Sequence, residues 1–342
     1  MAETSFGTND ALCVKRWAKE FATEYRVESF FENSGFIGRS ANSIVQELTD
    51  LMKEPGDKIT FPLVMAIDQA PIMDDDTVLG KEAALVHYSC SVTIHKRTFA
   101  VAIEGEMTER RVAMNLRQQA KDRLMVRMTE DLDEEIFDAL STSPSTNRVK
   151  YGGDATSTAT IEATDYLTLD LISKVKAFAR ATADPKLRPL RIGGKDRYVM
   201  IIHDHCMYDL RVNDAKFNQV WRELGPRGQY EDNPLIRNCE FMWDDVLVFT
   251  HPSVPVATNW GSGSNVYGAT NLFLGAQAAV LAYGGRKYKA GGRGHIVWAE
   301  HEKPYGVGIG FAISDIRGVA KTVFNSEDFG VIAVRTARSQ IT

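Results

Sequence analysis

The sequence predicts an α+β body from which a long β-ribbon and a long helix project. Three observations carry this expectation. Apolar residues alternate with strand periodicity through 59–67 and 86–103, and a stretch of thirty-three residues, 108–140, holds no Gly or Pro. Beyond residue 195, short strands mix with one or two helices, with no internal repeat and no regular βαβ alternation. At 342 residues, 44% hydrophobic and 25% charged, the chain is ordinary for a soluble globular protein and long enough for about two domains. Forty basic against 45 acidic side chains leave a net charge of −5, which excludes a polycation built to grip nucleic acid. Cys13, Cys90, Cys206 and Cys239 stand far apart without a CxxC pair, the pattern of reduced, mostly buried thiols rather than a disulfide framework. The opening MAETSFGTND has no basic region followed by an apolar run, and nowhere do 18 apolar residues run together. Neither a signal peptide nor a membrane helix is expected, and the protein reads as made inside the cell.

In chain order, residues 1–9 are polar. Leu12, Trp17, Phe21, Tyr25 and Phe30 recur at helical spacing over Asp10–Phe31, with Lys15, Arg16, Lys19, Glu20 and Glu24 on the wet side. A Gly-containing turn, Asn33–Gly38, leads to a second expected helix over Ser40–Met52, stopped by Pro55-Gly56-Asp57. Ile59, Phe61, Leu63, Met65 and Ile67 then alternate as a strand, an acidic tip runs from Asp68 to Glu82, and Val86, Tyr88, Cys90, Val92 and Ile94 resume the alternation. Parity changes to Phe99, Val101 and Ile103, which predicts a bulge or kink near Lys96-Arg97-Thr98. The ribbon would reach about 35 Å at roughly 3.3 Å per residue. An isolated two-stranded ribbon is marginal in water, so it asks for outside support.

From Thr108 to Leu140 good helix formers make a rod of about 50 Å at roughly 1.5 Å per residue. Leu116, Ala120, Leu124, Met128, Leu132, Ile136 and Leu140 step by four, so the stripe winds around the rod by about 40° per step and should meet different surfaces. Charge is divided along it. Arg110, Arg111, Arg117, Lys121, Arg123 and Arg127 face only Asp122 in the first half, while Glu130, Asp131, Asp133, Glu134, Glu135 and Asp138 have no base among them. This order opposes the helix dipole. A neighbouring element or chain with the opposite charges would account for it, and chance segregation on a solvated helix is the plainer alternative.

Residues 141–160 read as a polar, flexible connector, followed by a helix from Asp165 to Ala181 and a turn-rich joint at Pro185–Gly194. Expected strands are Tyr198–His203, Val246–Thr250, a run near Leu272–Ala282, His295–Trp298, Gly306–Ile313 and Val331–Arg335, with one helix over Asp204–Leu224.

Candidate chemistry is sparse. His203-Asp204-His205-Cys206 gathers three ligand-type side chains, yet no second cluster at zinc-like spacing completes a site. Asp204 stands where an N-cap would, so capping and packing are the expected roles. Asp74-Asp75-Asp76 lacks EF-hand spacing and reads as a solvated tip. Gly306, Gly308 and Gly310 alternate within a strand, which suits close backbone approach and not phosphate binding. The loop carrying Arg286, Lys287, Lys289 and Arg293 could touch phosphate nonspecifically, with a plain surface loop the simpler alternative. No P-loop, GxSxG, HExxH or catalytic Cys/His signature appears, and no cofactor is expected.

One family is similar through the ribbon and rod. Leu51-Met52-Lys53-Glu54-Pro55-Gly56-Asp57-Lys58-Ile59-Thr60-Phe61, Val78-Leu79-Gly80-Lys81-Glu82 at the hairpin tip, then Val92-Thr93-Ile94 are the first matches. Arg97, Val101, Gly105, Met107, Arg110-Arg111 and Leu132-Asp133-Glu134-Glu135-Ile136-Phe137 complete them. This stretch resembles the major capsid proteins of N4-type tailed bacteriophages, within the Hong Kong 97-like capsid fold. The resemblance covers about residues 50–140. It implies an N-arm at 1–55, an extended E-loop ribbon at 56–105, the spine helix and peripheral domain at 106–195, an axial domain at 196–320, and a C-terminal return to the peripheral domain at 321–342.

The resemblance further implies self-assembly as hexamers and pentamers into an icosahedral shell around packaged double-stranded DNA, held nonspecifically, with no catalysis and no membrane. The protein would be made in the bacterial host cytoplasm and end in the virion capsid. Portal, scaffold and decoration proteins are further candidate partners. Arg110, Arg111, Arg117, Lys121, Arg123 and Arg127 would pair across chains with the acids at 130–138 or with Asp74, Asp75 and Asp76. Two alternatives stand beside this: an encapsulin-like compartment of the same fold, and a metal-dependent enzyme using His203 and His205.

Overall fold

The computed structural model describes residues 29–341 except 53–54, 66–70, 74–76, 78, 81, 105–115, 225–238, 286–295 and 304–307. All but the end of the expected helix Asp10–Phe31 lies outside the described residues, as do Asp74, Asp75, Asp76, Arg110, Arg111, Arg286, Lys287, Lys289 and Arg293.

The chain opens with α1 (Phe30–Asn33), β1 (Ile37–Gly38), β2 (Val45–Leu48), β3 (Lys58–Val64), β4 (His87–Thr93) and β5 (His95–Glu104). The long helix α2 (Leu116–Ser141) follows, then β6 (Val149–Tyr151), α3 (Leu169–Ala177), β7 (Leu190–Ile192), β8 (Lys195–Ile202), α4 (Asp204–Asn213) and α5 (Ala215–Leu224). The rest is strand: β9 (Phe241–Trp243), β10 (Val246–Thr250), β11 (Val256–Trp260), β12 (Val266–Leu274), β13 (Ala279–Tyr283) and β14 (Val297–Glu302). Last come β15 (Gly308–Lys321), β16 (Val323–Phe324), β17 (Glu327–Asp328) and β18 (Val331–Ala337).

Two sheets make the body. In the first, β15 is the central strand. Along one edge β5 runs antiparallel, from Gly308↔Glu104 to Arg317↔His95. Along the other edge β14 and then β13 pair with it, and β13 continues through β2 to β1. The second sheet has the order β6-β18-β12-β8-β10-β9, with β7 against β8 and β11 against β12. The two sheets share a core with α2, drawn from Leu281 and Ile313 on one side and Val199, Leu247 and Leu272 on the other.

Helix α2 bears out the stripe. Ala120, Leu124, Met128, Leu132, Ile136 and Leu140 are all buried, and Leu116 is half-buried. For the described positions from Ala120 to Leu140, the surfaces that the winding stripe meets come from the same subunit. The helix lies on β15 and β5 and touches β13 and β12, while Phe30 and Phe31 cover Phe137.

The ribbon is β3 against β4, in register from Lys58↔Thr93 to Val64↔His87. Its break in parity falls at Ile94, not at Lys96-Arg97-Thr98, which pair regularly with Ile316, Asp315 and Ser314. One long alternating stretch therefore serves two sheets: β4 belongs to the ribbon and β5 to the body.

Other expectations are corrected by partners distant in sequence. Ser40–Met52 is not a helix. Val45–Leu48 runs parallel to β13, pairing Val45 with Ala279 and Leu48 with Ala282, and a 3-10 turn at Asp50–Met52 follows. The supposed connector at 141–160 contains β6, parallel to β18, and a fully buried Arg148. The run Leu272–Ala282 splits at Gly275–Ala278 into β12 and β13, which enter different sheets. Asp204–Leu224 is two helices, because Asp214 caps the second: its Oδ1 accepts the N–H groups of Lys216 (2.9 Å) and Phe217 (3.3 Å). The expected helix near Asp165–Ala181 begins at Leu169 on a Thr168 cap and ends in a π-turn at Phe178–Thr182.

Candidate functional site

The ribbon is seated at its base and bare farther out. Ile59 and Phe61 of β3, with Val92 and Ile94 of the returning chain, pack on Val280, Ala282, Leu48 and Ala320. Phe61 also meets Phe324 edge-on at 6.1 Å. Beyond that seat Val64, Met73, Leu79, Leu85 and Val86 are 53%, 67%, 84%, 58% and 46% exposed. Five large apolar side chains on one slender projection form a surface suited to being covered. Full burial of each would contribute about 1.5–3 kcal/mol.

A buried ion network ties the ribbon's base to the rod. The Arg97 guanidinium, on β5, donates to both carboxylate oxygens of Asp131, with Nε to Oδ2 at 2.7 Å and Nη2 to Oδ1 at 2.5 Å. Arg317, on β15 and fully buried, donates from Nη2 to Asp131 Oδ2 (2.6 Å), from Nε to Glu135 Oε2 (2.9 Å) and from Nη1 to Asp315 Oδ2 (3.0 Å). Arg97 also stands 3.5 Å from Glu135. The bond to Asp131 is the main reason the Arg97 guanidinium holds its proton above its usual range. Three carboxylates and two guanidiniums thus clamp α2 onto β5 and β15. Arg317 and Asp315 escaped the sequence reading, although two opposite charges two residues apart on an apolar strand share one face and signal a buried pair.

This network decides what the rod's acids can do. Asp131 and Glu135 are engaged within the chain. Asp133, also buried, accepts the Ser29 hydroxyl (2.8 Å) and the Phe30 N–H (3.0 Å), fixing Ser29 and Phe30 against α2. Burial, chiefly, pushes the Asp133 carboxyl above its usual range. Beside it His251 stacks on Phe137 at 4.9 Å, and burial lowers its basicity. Of the rod's bases, Lys121 is buried. Arg127 pairs along its own helix with Glu134 (3.2 Å) and Glu130 (3.5 Å), and its guanidinium stands 5.7 Å from the Phe99 ring. The outward face of α2 presents Arg117, Arg123, Arg127, Glu130, Glu134 and Asp138.

The histidine cluster is occupied otherwise. His203, not Asp204, is the N-cap of α4: its Nδ1 accepts the His205 N–H at 3.1 Å. His205 Nδ1 lies 2.7 Å from the Arg338 guanidinium, a cation where a metal would have to sit. Cys206 is buried, and desolvation raises its thiol to about 11. Among the described residues no group of three or more His, Cys, Asp or Glu side chains is arranged to hold a metal ion. Gly308 does serve close approach, since a Cβ there would stand 2.5 Å from the Ile103 carbonyl oxygen.

Comparisons with known proteins agree on what such a body is. A family model described as phage capsid protein matches residues 5–340. The major capsid protein of Pseudomonas phage KPP25 is 25% identical over 370 aligned positions, covering 94% of each chain. The capsid of Ralstonia phage GP4 superposes with a TM-score of 0.80 at 30% identity over the whole of both chains. The capsid of cyanophage Pam1 does so at 0.77 and 22%, again over both whole chains, a likeness of fold. The fold is the Hong Kong 97-like capsid fold, and the chain belongs to the phage capsid protein family.

Proposed function

We propose that this chain is the repeating subunit of a tailed-phage head, assembling as hexamers and pentamers into an icosahedral shell around double-stranded DNA. The ribbon carries the proposal: its base is held by its own subunit, and its far part offers Val64, Met73, Leu79, Leu85 and Val86 to something outside that subunit. A second copy is the natural cover for a chain whose relatives are capsid proteins. Those relatives favour a phage head over an enzyme compartment. The role is structural. His203 and His205 cap a helix and meet Arg338, so the metal-dependent alternative has no support in the geometry.

In this reading the first sheet with α2 is the peripheral part and the second sheet with α3, α4 and α5 the axial part. Residues 279–321 then belong with the spine, and the C-terminal strand β18 returns to the axial sheet, which redraws the divisions expected at 196, 320 and 321. Cross-chain ion pairing narrows to the outward face of α2, with Arg110, Arg111 and the tip acids Asp74, Asp75 and Asp76 as further candidates. A net charge of −5 suits a wall that touches packaged DNA weakly, with Arg286, Lys287, Lys289 and Arg293 as candidate contacts. Portal, scaffold and decoration proteins would meet the assembled head, built in the host cytoplasm. Negative-stain microscopy and sedimentation of the purified protein test the proposal. Closed shells are expected; a small species of fixed size at every concentration refutes it.

A further inference from the structure

We infer that Gly318 and Gly284 form the seat of an elbow that sets the direction in which the ribbon leaves the subunit, and so act as positioning residues for assembly. The inference rests on the capsid reading and goes beyond it to name what aims the projection. At Arg317↔His95 the β5–β15 ladder ends, and at the next step the incoming chain leaves the sheet's edge. It crosses onto the face of β15 and β13, where Val92 packs on Val280 and Ala282. Where one strand's backbone crosses another in direct contact, a glycine leaves the room a side chain would fill. A Cβ on Gly318 would stand 2.0 Å from the Thr93 carbonyl oxygen, 2.8 Å from its carbon and 3.1 Å from Ile94 Cα. From the other side, a Cβ on Gly284 would meet Ile94 Cδ1 at 2.5 Å and Ile316 Cγ2 at 2.6 Å. The Ile94 N–H bonds the Asp57 carbonyl (2.8 Å) at the crossing, and the Gly284 N–H bonds the Ile316 carbonyl (2.9 Å) in the sheet that the chain crosses. The Arg97 clamp on Asp131 begins three residues beyond the elbow.

The two glycines are not equivalent. Gly284 faces Ile94 Cδ1 and the branch methyl Cγ2 of Ile316, whose Cβ at 3.5 Å holds it close to the backbone, whereas Gly318 faces backbone itself, which moves only with the ribbon. Restoring ordinary contact at Gly318 needs a retreat of about 1.4 Å by the Thr93 carbonyl. The ribbon beyond it extends about 23 Å along β4 alone, so a small rotation at the elbow displaces the exposed apolar residues by several ångströms.

The test compares Gly318→Ala with Gly310→Ala in the same strand, where a Cβ would lie in ordinary contact, 3.6 Å from the His301 carbonyl oxygen. Two readouts are taken on the full chain: amide exchange of 57–65 and 87–94 in unassembled protein, and shell yield and diameter by microscopy. Gly318→Ala should retain the wild-type far-ultraviolet spectrum, speed exchange in the ribbon about tenfold, and lose closed shells or change their diameter, with Gly310→Ala like wild type. Wild-type exchange together with wild-type shells from Gly318→Ala overturns the inference. If the unaltered protein forms no shells, the capsid reading fails, and the exchange readout still decides the elbow. If Gly318→Ala does not fold, Gly284→Ala decides by the same two readouts, and wild-type behaviour there overturns the inference.

Discussion

Replacing Arg317 with methionine should be among the costliest single changes in this chain. The Arg317 side chain has no solvent exposure and ion-pairs with Asp131, Glu135 and Asp315 at 2.6, 2.9 and 3.0 Å. The three acids do not suffer equally. Asp131 keeps both bonds from Arg97, and Glu135 keeps Arg97 at 3.5 Å and is 18% exposed. Asp315 is the one stranded: its side chain has no exposure, Oδ1 has no hydrogen-bond partner, and Oδ2 loses the guanidinium it contacts. Breaking a buried ion pair from one side costs about 3–5 kcal/mol, because the remaining charge is buried uncompensated. Against a total stability of about 5–15 kcal/mol, that is a third or more of the whole. Equilibrium urea unfolding of unassembled protein, followed by tryptophan fluorescence, measures it. R317M should lose that amount, and R317M/D315N should recover at least about 1.5 kcal/mol of it by removing the stranded charge. R97M should lose less, because the Arg97 side chain is 36% exposed and Arg317 still neutralises Asp131. A loss below about 1 kcal/mol for R317M, or a double variant no more stable than the single one, would refute the orphaned-charge account.

Three further outcomes are expected. Asp133 has a native proton affinity raised above its ordinary value of 3.8, so the stability it contributes is full below that value and is lost as pH rises through the higher native one. The wild type should therefore gain on D133N as pH falls from 7 towards 4 in paired urea titrations, and a flat or opposite trend would sink the assignment. Leu85→Glu with Val86→Glu, on the bare part of the ribbon, should leave the melting temperature nearly unchanged and abolish shells in sedimentation; intact shells would show that this surface is not the one covered. Reversing Arg117 and Arg123 to Glu on the outward face of α2 should impair shell formation in a purified assembly assay, and normal shells would remove cross-chain pairing from the proposal.

What could be read in advance follows from locality. The ribbon strands and the rod announce themselves within a window of a dozen residues, and their burial matches the alternation of Ile59, Phe61, Val92 and the four-residue steps from Ala120 to Leu140. The errors share the opposite origin. Val45–Leu48 took the strand form because Ala279–Ala282 lies alongside, more than 230 residues away. The helix at Asp204 broke where Asp214 found two N–H groups to cap. Charge left the choice open: segregation along the rod asked for an oppositely charged element or chain, and for Asp131 and Glu135 the answer is Arg97 and Arg317 of the same subunit, while Asp133 bonds Ser29 and Phe30.

The sequence by itself determined that this protein has a strand-paired projection and an unusually long helix, since periodicity is a property of neighbouring residues. Only the tertiary structure decided that one alternating stretch is divided between two sheets at Ile94, that Asp131 and Glu135 of the rod are neutralised from within, and that two glycines mark where a strand crosses another. Those outcomes depend on which distant segments meet, and a carboxylate or a glycine carries no local mark of its eventual partner.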